Sequence, residues 1–277
     1  MFPKLPDWAI YAAAVAAIAM VAVGQRENLA APPAPPPPDA EEGALIGSSL
    51  PFDPLSVVAA PSGPLRPLAG TAFSVSTSGR WLTARHVVGG CRRAALLLGG
   101  GHAIPARVMT WRNSDVALLV SRGGPTALPM AFNAPLEVGQ QAWIPGYPQG
   151  RPGEVAVRLL GPAVLRGEGR GAPDQPVLAW AEVGRTEEMK GTLSGLSGAP
   201  ALDSTGRVLG VVLAERPRRG LIYTSAPTAV AGPLKALGPI TELAVGAAIG
   251  AENYGRIGDD LRRDLRVARV MCLTGQG

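Results

Sequence analysis

The chain has 277 residues, 47% of them hydrophobic and 5% aromatic, with 36 glycines and 28 prolines, enough length for a sizeable core and a Gly/Pro load that favours short strands over long helices. The net charge of +5 comes from 26 basic residues, of which only Lys4, Lys190 and Lys235 are not arginine. They are scattered rather than interleaved with aromatics, which argues against a nucleic-acid partner; with the Ala, Gly and Pro usage they read as the bias of a GC-rich bacterial genome.

The first element in chain order is the uncharged run WAIYAAAVAAIAMVAVG, residues 8–24, preceded by a short segment 1–7 that carries Lys4. As a helix it reaches the short end of what spans a bilayer core, and Trp8 and Tyr11 suit an interface. The expectation is a single-pass inner-membrane anchor with residues 1–7 cytoplasmic and the remainder periplasmic; the alternative is a signal segment cleaved near Gly24, releasing the chain to the periplasm. Residues 25–50 follow as a linker whose APPAPPPPDAEEG stretch can form neither helix nor sheet, because proline fixes φ and lacks a donor.

From about residue 51 short apolar runs alternate with turn residues. GTAFSVSTSGRWLTARHVV reads as two strands, Thr71–Val75 and Trp81–Thr83, around a Ser-Gly turn. RAALLLGGGHAIPARVMTW gives another pair, with His102 on the exposed hairpin, and SDVALLV, QQAWIPGY, AVRLLGPAVL and PVLAWAEV continue the rhythm. PALDSTGRVLGVVLA is a hairpin, and GLIYTSAP ends the series; this spacing of turns points to antiparallel barrels or a sandwich. After residue 227 the pattern allows three short helices, in AVAGPLKAL, ITELAVGAAIG and NYGRIGDDLRRDL, the last with Ile257, Leu261 and Leu265 on one face, and then a final strand RVARVMCL.

Three places stand out for their chemistry. His86 ends a strand, Asp115 opens one, and Ser197 lies in the turn GLSGAP. A serine hydroxyl is a poor nucleophile until a base takes its proton, an imidazole suits that work, and the imidazole needs a carboxylate to fix its tautomer. The oxyanion of an acyl-transfer intermediate needs backbone N–H donors, which Gly195 and Ser197 would supply. The bland alternative is that Ser197 is only turn chemistry, Asp115 a turn cap and His86 a core or surface histidine.

Taken together, GTAF…WLTARHVVGGC, NSDVALLV, EVGQQAWIPGYPQG and GLSGAPALDSTGRVLGVV resemble, in order, the landmarks of bacterial trypsin-like serine peptidases, and among them the HtrA-like (Deg) protease domains, over roughly residues 65–230. The resemblance implies an all-β fold of two six-stranded antiparallel barrels with the active site in the cleft between them. His86 would be the general base, Asp115 its orienting partner and Ser197 the nucleophile. Leu196 and Ala199 depart from the usual GNSGGP-like loop, leaving the nucleophile and the oxyanion glycine in place. By the same alignment Gly191 and Thr192 would lie at the base of the substrate pocket, and Leu213, Ala214, Glu215 and Tyr223 along its walls. No acid stands at that base, so a trypsin-like Arg/Lys preference is not implied, while Glu215 either attracts a basic group or partly closes the pocket. A PDZ domain, common after such protease domains, does not fit the short tail.

The organisation expected is therefore an anchor and linker, a trypsin-like peptidase domain over 51–238 and a partly helical extension over 239–277. The expected activity is cleavage of polypeptide substrates through an acyl-enzyme, the rival being a trypsin-fold module that binds or signals without efficient cleavage. Cys91 and Cys272, the only cysteines, would form one disulfide in an oxidising compartment, closing a loop of about 180 residues and pinning the tail onto the first barrel. No CxxC, HExxH or GxxxxGK[ST] occurs, so no metal or other cofactor is expected, and the sequence carries no signature of an oligomeric state.

Overall fold

The computed structural model describes residues 57–59, 69–91, 93–99, 102–166, 174–187, 189–238 and 246–273, and Ala16 alone near the N-terminus. The expected anchor, apart from Ala16, and the linker lie outside the described residues. Among the described residues no helix is long and apolar enough to cross a membrane.

Of the thirteen strands among the described residues, twelve build two six-stranded barrels. The first contains β2 (Ala69–Ser76), β3 (Arg80–Ala84), β4 (Arg93–Gly99), β5 (His102–Thr110), β6 (Val116–Val120) and β13 (Val267–Leu273), in the closed order β13-β2-β3-β6-β5-β4. The second contains β7 (Gln141–Gly146), β8 (Gly153–Arg166), β9 (Gln175–Arg185), β10 (Pro200–Leu202), β11 (Val208–Arg216) and β12 (Leu221–Ser225); it closes because β8 and β9 pair with each other. Strand β1 (Val57–Ala59) adds to the outside of β8 in parallel.

Closure into barrels leaves no unpaired edge and encloses the strands that are buried along most of their length. Strand β2 is buried at six of its eight residues and β11 at seven of nine. Each barrel buries a tryptophan that is 0% exposed and whose indole N–H finds a hydroxyl. Trp81 Nε1 donates to Ser121 Oγ at 3.0 Å, and Trp180 Nε1 to Thr224 Oγ1 at 2.9 Å. A buried indole without such an acceptor would strand its donor.

The segment after residue 227 departs from the expectation of an appendage with three helices. Beyond the single-turn helix α1 (Arg85–Val88) after β3, helices α2 (Ala231–Leu237) and α3 (Tyr254–Arg263) form. ITELAVGAAIG gives no helix over its described part, 246–250. There the Ile249 N–H donates to Ser204 O at 2.9 Å, and the Gly246 backbone lies so close to Thr205 that a side chain would not fit. Contact with the β10–β11 turn takes the place of helical hydrogen bonds. Leu265 is not on the apolar face of α3 with Ile257 and Leu261: the helix ends at Arg263, and Leu265, at φ 59°, turns the chain into β13. That last strand, inside the segment read as an extension, is the sixth strand of the first barrel, paired with β2 on one side and β4 on the other. A disulfide joins Cys91 to Cys272.

Candidate active site

His86 sits in α1 (Arg85–Val88), a single helical turn that continues β3, with Val87 and Val88 buried beneath it. Such a turn has free amides at its start, and Asp115 meets them. Asp115 O accepts from Arg85 N–H at 2.6 Å, and Asp115 Oδ1 accepts from His86 N–H at 3.1 Å. The other carboxylate oxygen, Oδ2, lies 2.8 Å from His86 Nδ1. One aspartate thus fixes both the backbone and the ring of the histidine, and an acceptor at Nδ1 holds the proton there and leaves Nε2 as the basic nitrogen. Arg85 Nε stands 3.7 Å from Oδ1, a positive charge beside the carboxylate.

Asp115 is itself held from the second barrel. Its N–H donates to Gln175 Oε1 at 3.1 Å, and the neighbouring Ser114 Oγ donates to Ala229 O at 2.6 Å. Gln175, the first residue of β9, carried no signal in the sequence, because a glutamine beside a proline reads as loop polarity.

Ser197 lies on a loop packed into the second-barrel core. Leu193, Leu196 and Ala199 are at most 2% exposed and belong to one cluster with Trp180 and Ile144. This explains the departures from the GNSGGP-like pattern: Leu196 and Ala199 are core residues that fix the loop from below.

Every carbonyl from 193 to 197 is occupied. Leu193 O accepts from Leu196 N–H at 2.9 Å, Ser194 O from Gln149 N–H at 2.5 Å, and Leu196 O from Ala199 N–H at 2.9 Å. Gly195 O accepts from Thr71 Oγ1 at 2.8 Å, and Ser197 O from Thr71 N–H at 2.9 Å. The amides of Leu196, Gly198 and Ala199 are likewise bonded, whereas those of Gly195 and Ser197 have no acceptor among the described residues. Because a trans peptide points its N–H away from its carbonyl, Gln149 turns the Gly195 N–H to the opposite side of the loop. Two free amides two residues apart, at the two positions read from the sequence, are the donor pair an oxyanion needs.

The loop reaches this shape through glycine. Gly195 and Gly198 have φ of 98° and 89°, and a Cβ at Gly198 would lie 2.1 Å from Thr71 O and 2.9 Å from Ala84 N. That close approach seats the Ser197 loop directly against the end of β3, two residues before His86. Thr71 is the joint. Besides its two bonds to the loop, its hydroxyl accepts from Tyr147 N–H at 3.1 Å and its carbonyl accepts from Thr83 Oγ1 at 2.7 Å.

Near Ser197 run the three segments read as a substrate pocket. Gly191 and Thr192 are exposed, whereas Leu213, Ala214 and Tyr223 are buried, Tyr223 pairing with Ala214 across β11 and β12. Arg185, paired with Glu182, donates from Nη1 to Gly191 O at 2.9 Å. Glu215 Oε2 accepts from Leu193 N–H at 2.6 Å, linking the 191–193 segment to β11, and burial raises its pKa. His102 is exposed at the start of β5, away from these residues.

A family model of the trypsin-like peptidase domain matches residues 70–211. Two serine proteases of Mycobacterium tuberculosis, MT3772 and Rv3671c, are each 31% identical over 194 residues, 66% of this chain. The match takes in 45% of each relative, so the chain spans about half the length of the curated relatives it matches. Among solved structures, the inactive form of the Rv3671c protease is 28% identical over 63% of this chain and 87% of that one, with a TM-score of 0.50. Its active form aligns over 73% of this chain and 97% of that one at 22% identity, also with a TM-score of 0.50, a likeness of fold. The family match runs from β2 into β11, takes in His86, Asp115 and Ser197, and covers just over half of the 277 residues: the chain belongs to the trypsin-like peptidase family.

Proposed function

We propose that the protein is an extracytoplasmic serine endopeptidase in which His86, Asp115 and Ser197 form the catalytic triad. His86 Nε2 takes the Ser197 proton as Oγ attacks the scissile carbonyl, and Asp115 stabilises the imidazolium that results. The Gly195 and Ser197 amides receive the oxyanion. The intermediate collapses as His86 returns the proton to the leaving amine, and an acyl-enzyme remains. Water, deprotonated by His86, then frees the acid and regenerates the serine. Every step is proton transfer and acyl transfer among this chain's own residues.

The observation that carries this reading is the pairing of a carboxylate-held histidine with a loop whose carbonyls from 193 to 197 are all bonded while its amides at 195 and 197 are not. Gly191, Thr192, Leu213, Ala214, Glu215 and Tyr223 make the pocket for the residue before the scissile bond. Glu215 commits one carboxylate oxygen to the Leu193 N–H, which favours a wall partly closed over one open to a basic side chain. Residues 8–24 are the membrane anchor and 25–50 the tether that place this domain in the periplasm.

The test is labelling of the protein with a fluorophosphonate, beside Ser197→Ala and His86→Ala. Both substitutions should abolish labelling and peptide turnover while leaving the thermal transition in place. Turnover retained by pure Ser197→Ala protein would refute the assignment, and a folded wild type that never labels would support the non-cleaving alternative.

A further inference from the structure

The 147–150 turn has no part in the chemistry above, yet it holds the loop that does. Gln149, exposed, adopts φ 51° and ψ 24°, a left-handed conformation that non-glycine residues seldom take. In that conformation one residue contacts the 190–194 segment three times. Its N–H donates to Ser194 O at 2.5 Å, and its side-chain Nε2 donates to Lys190 O at 2.6 Å and to Thr192 O at 2.8 Å. Two carbonyl acceptors use both hydrogens of the amide, so nitrogen rather than oxygen must face them.

The turn that presents Gln149 is braced from several sides. Gly150 N–H donates to Tyr147 O at 3.0 Å, and Tyr147 N–H donates to Thr71 Oγ1 at 3.1 Å. The guanidinium of Arg269, on β13, fills the space beside Gly150, 3.0 Å from where a side chain at that position would begin. Arg262 Nη1 donates to Gly146 O at 3.4 Å. A residue in a costly backbone conformation persists only where its surroundings over-determine it, and here that residue spends every donor on one loop.

We infer that Gln149 is a positioning residue for the oxyanion site: through its three hydrogen bonds it fixes the orientation of the Ser194–Gly195 peptide and so aims the Gly195 N–H at the reacting carbonyl. The inference rests on the serine-peptidase reading. Among the described residues Gln149 makes no hydrogen bond to His86, Asp115 or the Ser197 side chain; it acts through the loop. Losing its side chain frees Lys190 O and Thr192 O and leaves the Ser194–Gly195 peptide held by the backbone bond alone, so its orientation is less tightly fixed. The donors must be in place before charge develops, so the cost falls on the transition state rather than on ground-state binding.

The experiment uses the whole chain with Gln149→Gly and Gln149→Asn, both residues that accept a left-handed conformation; asparagine is too short to reach the two carbonyls. Thermal midpoints should be equal to or above wild type, because the strain is relieved. With a peptide substrate kcat should fall about 10- to 100-fold, short of or equal to the lower end of the loss from deleting an oxyanion donor outright, while KM stays within about twofold. A peptide boronate, whose tetrahedral adduct places oxygen in the oxyanion site, should lose affinity in parallel with kcat. Unchanged kcat in both variants, a rise in KM alone, or a fall in kcat that tracks a fall in thermal midpoint would overturn the inference. A wild type that neither labels nor turns over would instead refute the peptidase reading, so the two failures are distinct.

Discussion

At the scale of the residue, the site is held less by its chemical groups than by a side chain with no chemistry of its own. Thr71 is fully buried and its hydroxyl stands between Tyr147 N–H, which it accepts, and Gly195 O, to which it donates. Valine has nearly the same shape and neither function. Thr71→Val should orphan both groups at about 1–3 kcal/mol for each buried donor or acceptor left unpaired. Because Gly195 O is one of them, fluorophosphonate labelling should slow together with the loss of thermal stability, and Thr71→Ser should restore both. A valine variant as stable and as quickly labelled as wild type would show that the hydroxyl is dispensable. Nothing in GTAF distinguishes this threonine from any other strand threonine, and Gln175 and Gln149 were equally invisible. Their partners lie 60 residues away at Asp115 and 41 to 45 away at Lys190 to Ser194, a separation no local pattern reports.

At the scale of the element, α3 shows how a polar residue can dock a helix. Glu154, 1% exposed on β8, meets Arg262 of α3, which also binds Asp259 one turn earlier at 2.6 Å. Thr186 Oγ1 completes the carboxylate's partners at 3.0 Å, and the buried Tyr254 hydroxyl beside the pair has no partner among the described residues. Burial pushes Glu154 up to about 7 from its ordinary 4.5, against the pull of Arg262. Between those two values the folded chain holds a proton that the unfolded chain has released. This contribution to stability is complete below the lower value and is lost as the pH rises through the upper one. Thermal midpoints measured from pH 5 to 8 should therefore fall for wild type relative to Glu154→Gln, which has the same shape and does not titrate. Parallel profiles for the two proteins would exclude Glu154 as the source. The helix was legible from its four-residue apolar spacing, but its docking was not: the spacing marks one face as apolar and says nothing of an ion pair on that face.

At the scale of the whole molecule, the strand rhythm and the order of the four landmarks were readable because each is local, whereas barrel closure joins the two ends of the domain. RVARVMCL looked like a strand, but its β-branched residues could not name its neighbours, β2 and β4; in the fold Met271 lies opposite both Ala69 and Ala95. This decides what the C-terminal segment can do. If it were a removable lock over a latent site, a chain ending at residue 263 would stay folded and gain activity. As the sixth strand it has no substitute: without it β2 and β4 become open edges, and the space filled by Val267, Ala268 and Val270, each 0% exposed, empties. Truncation after 263 should abolish the cooperative thermal transition and leave the chain open to added protease. Replacing both cysteines by serine is the control, since it removes only the cross-link. The chain-entropy term for a loop of this length is about 5 kcal/mol at most, so the double variant should keep one cooperative transition at a lower midpoint. A truncated chain that remains folded and labels faster than wild type would assign β13 to regulation instead of to the barrel wall.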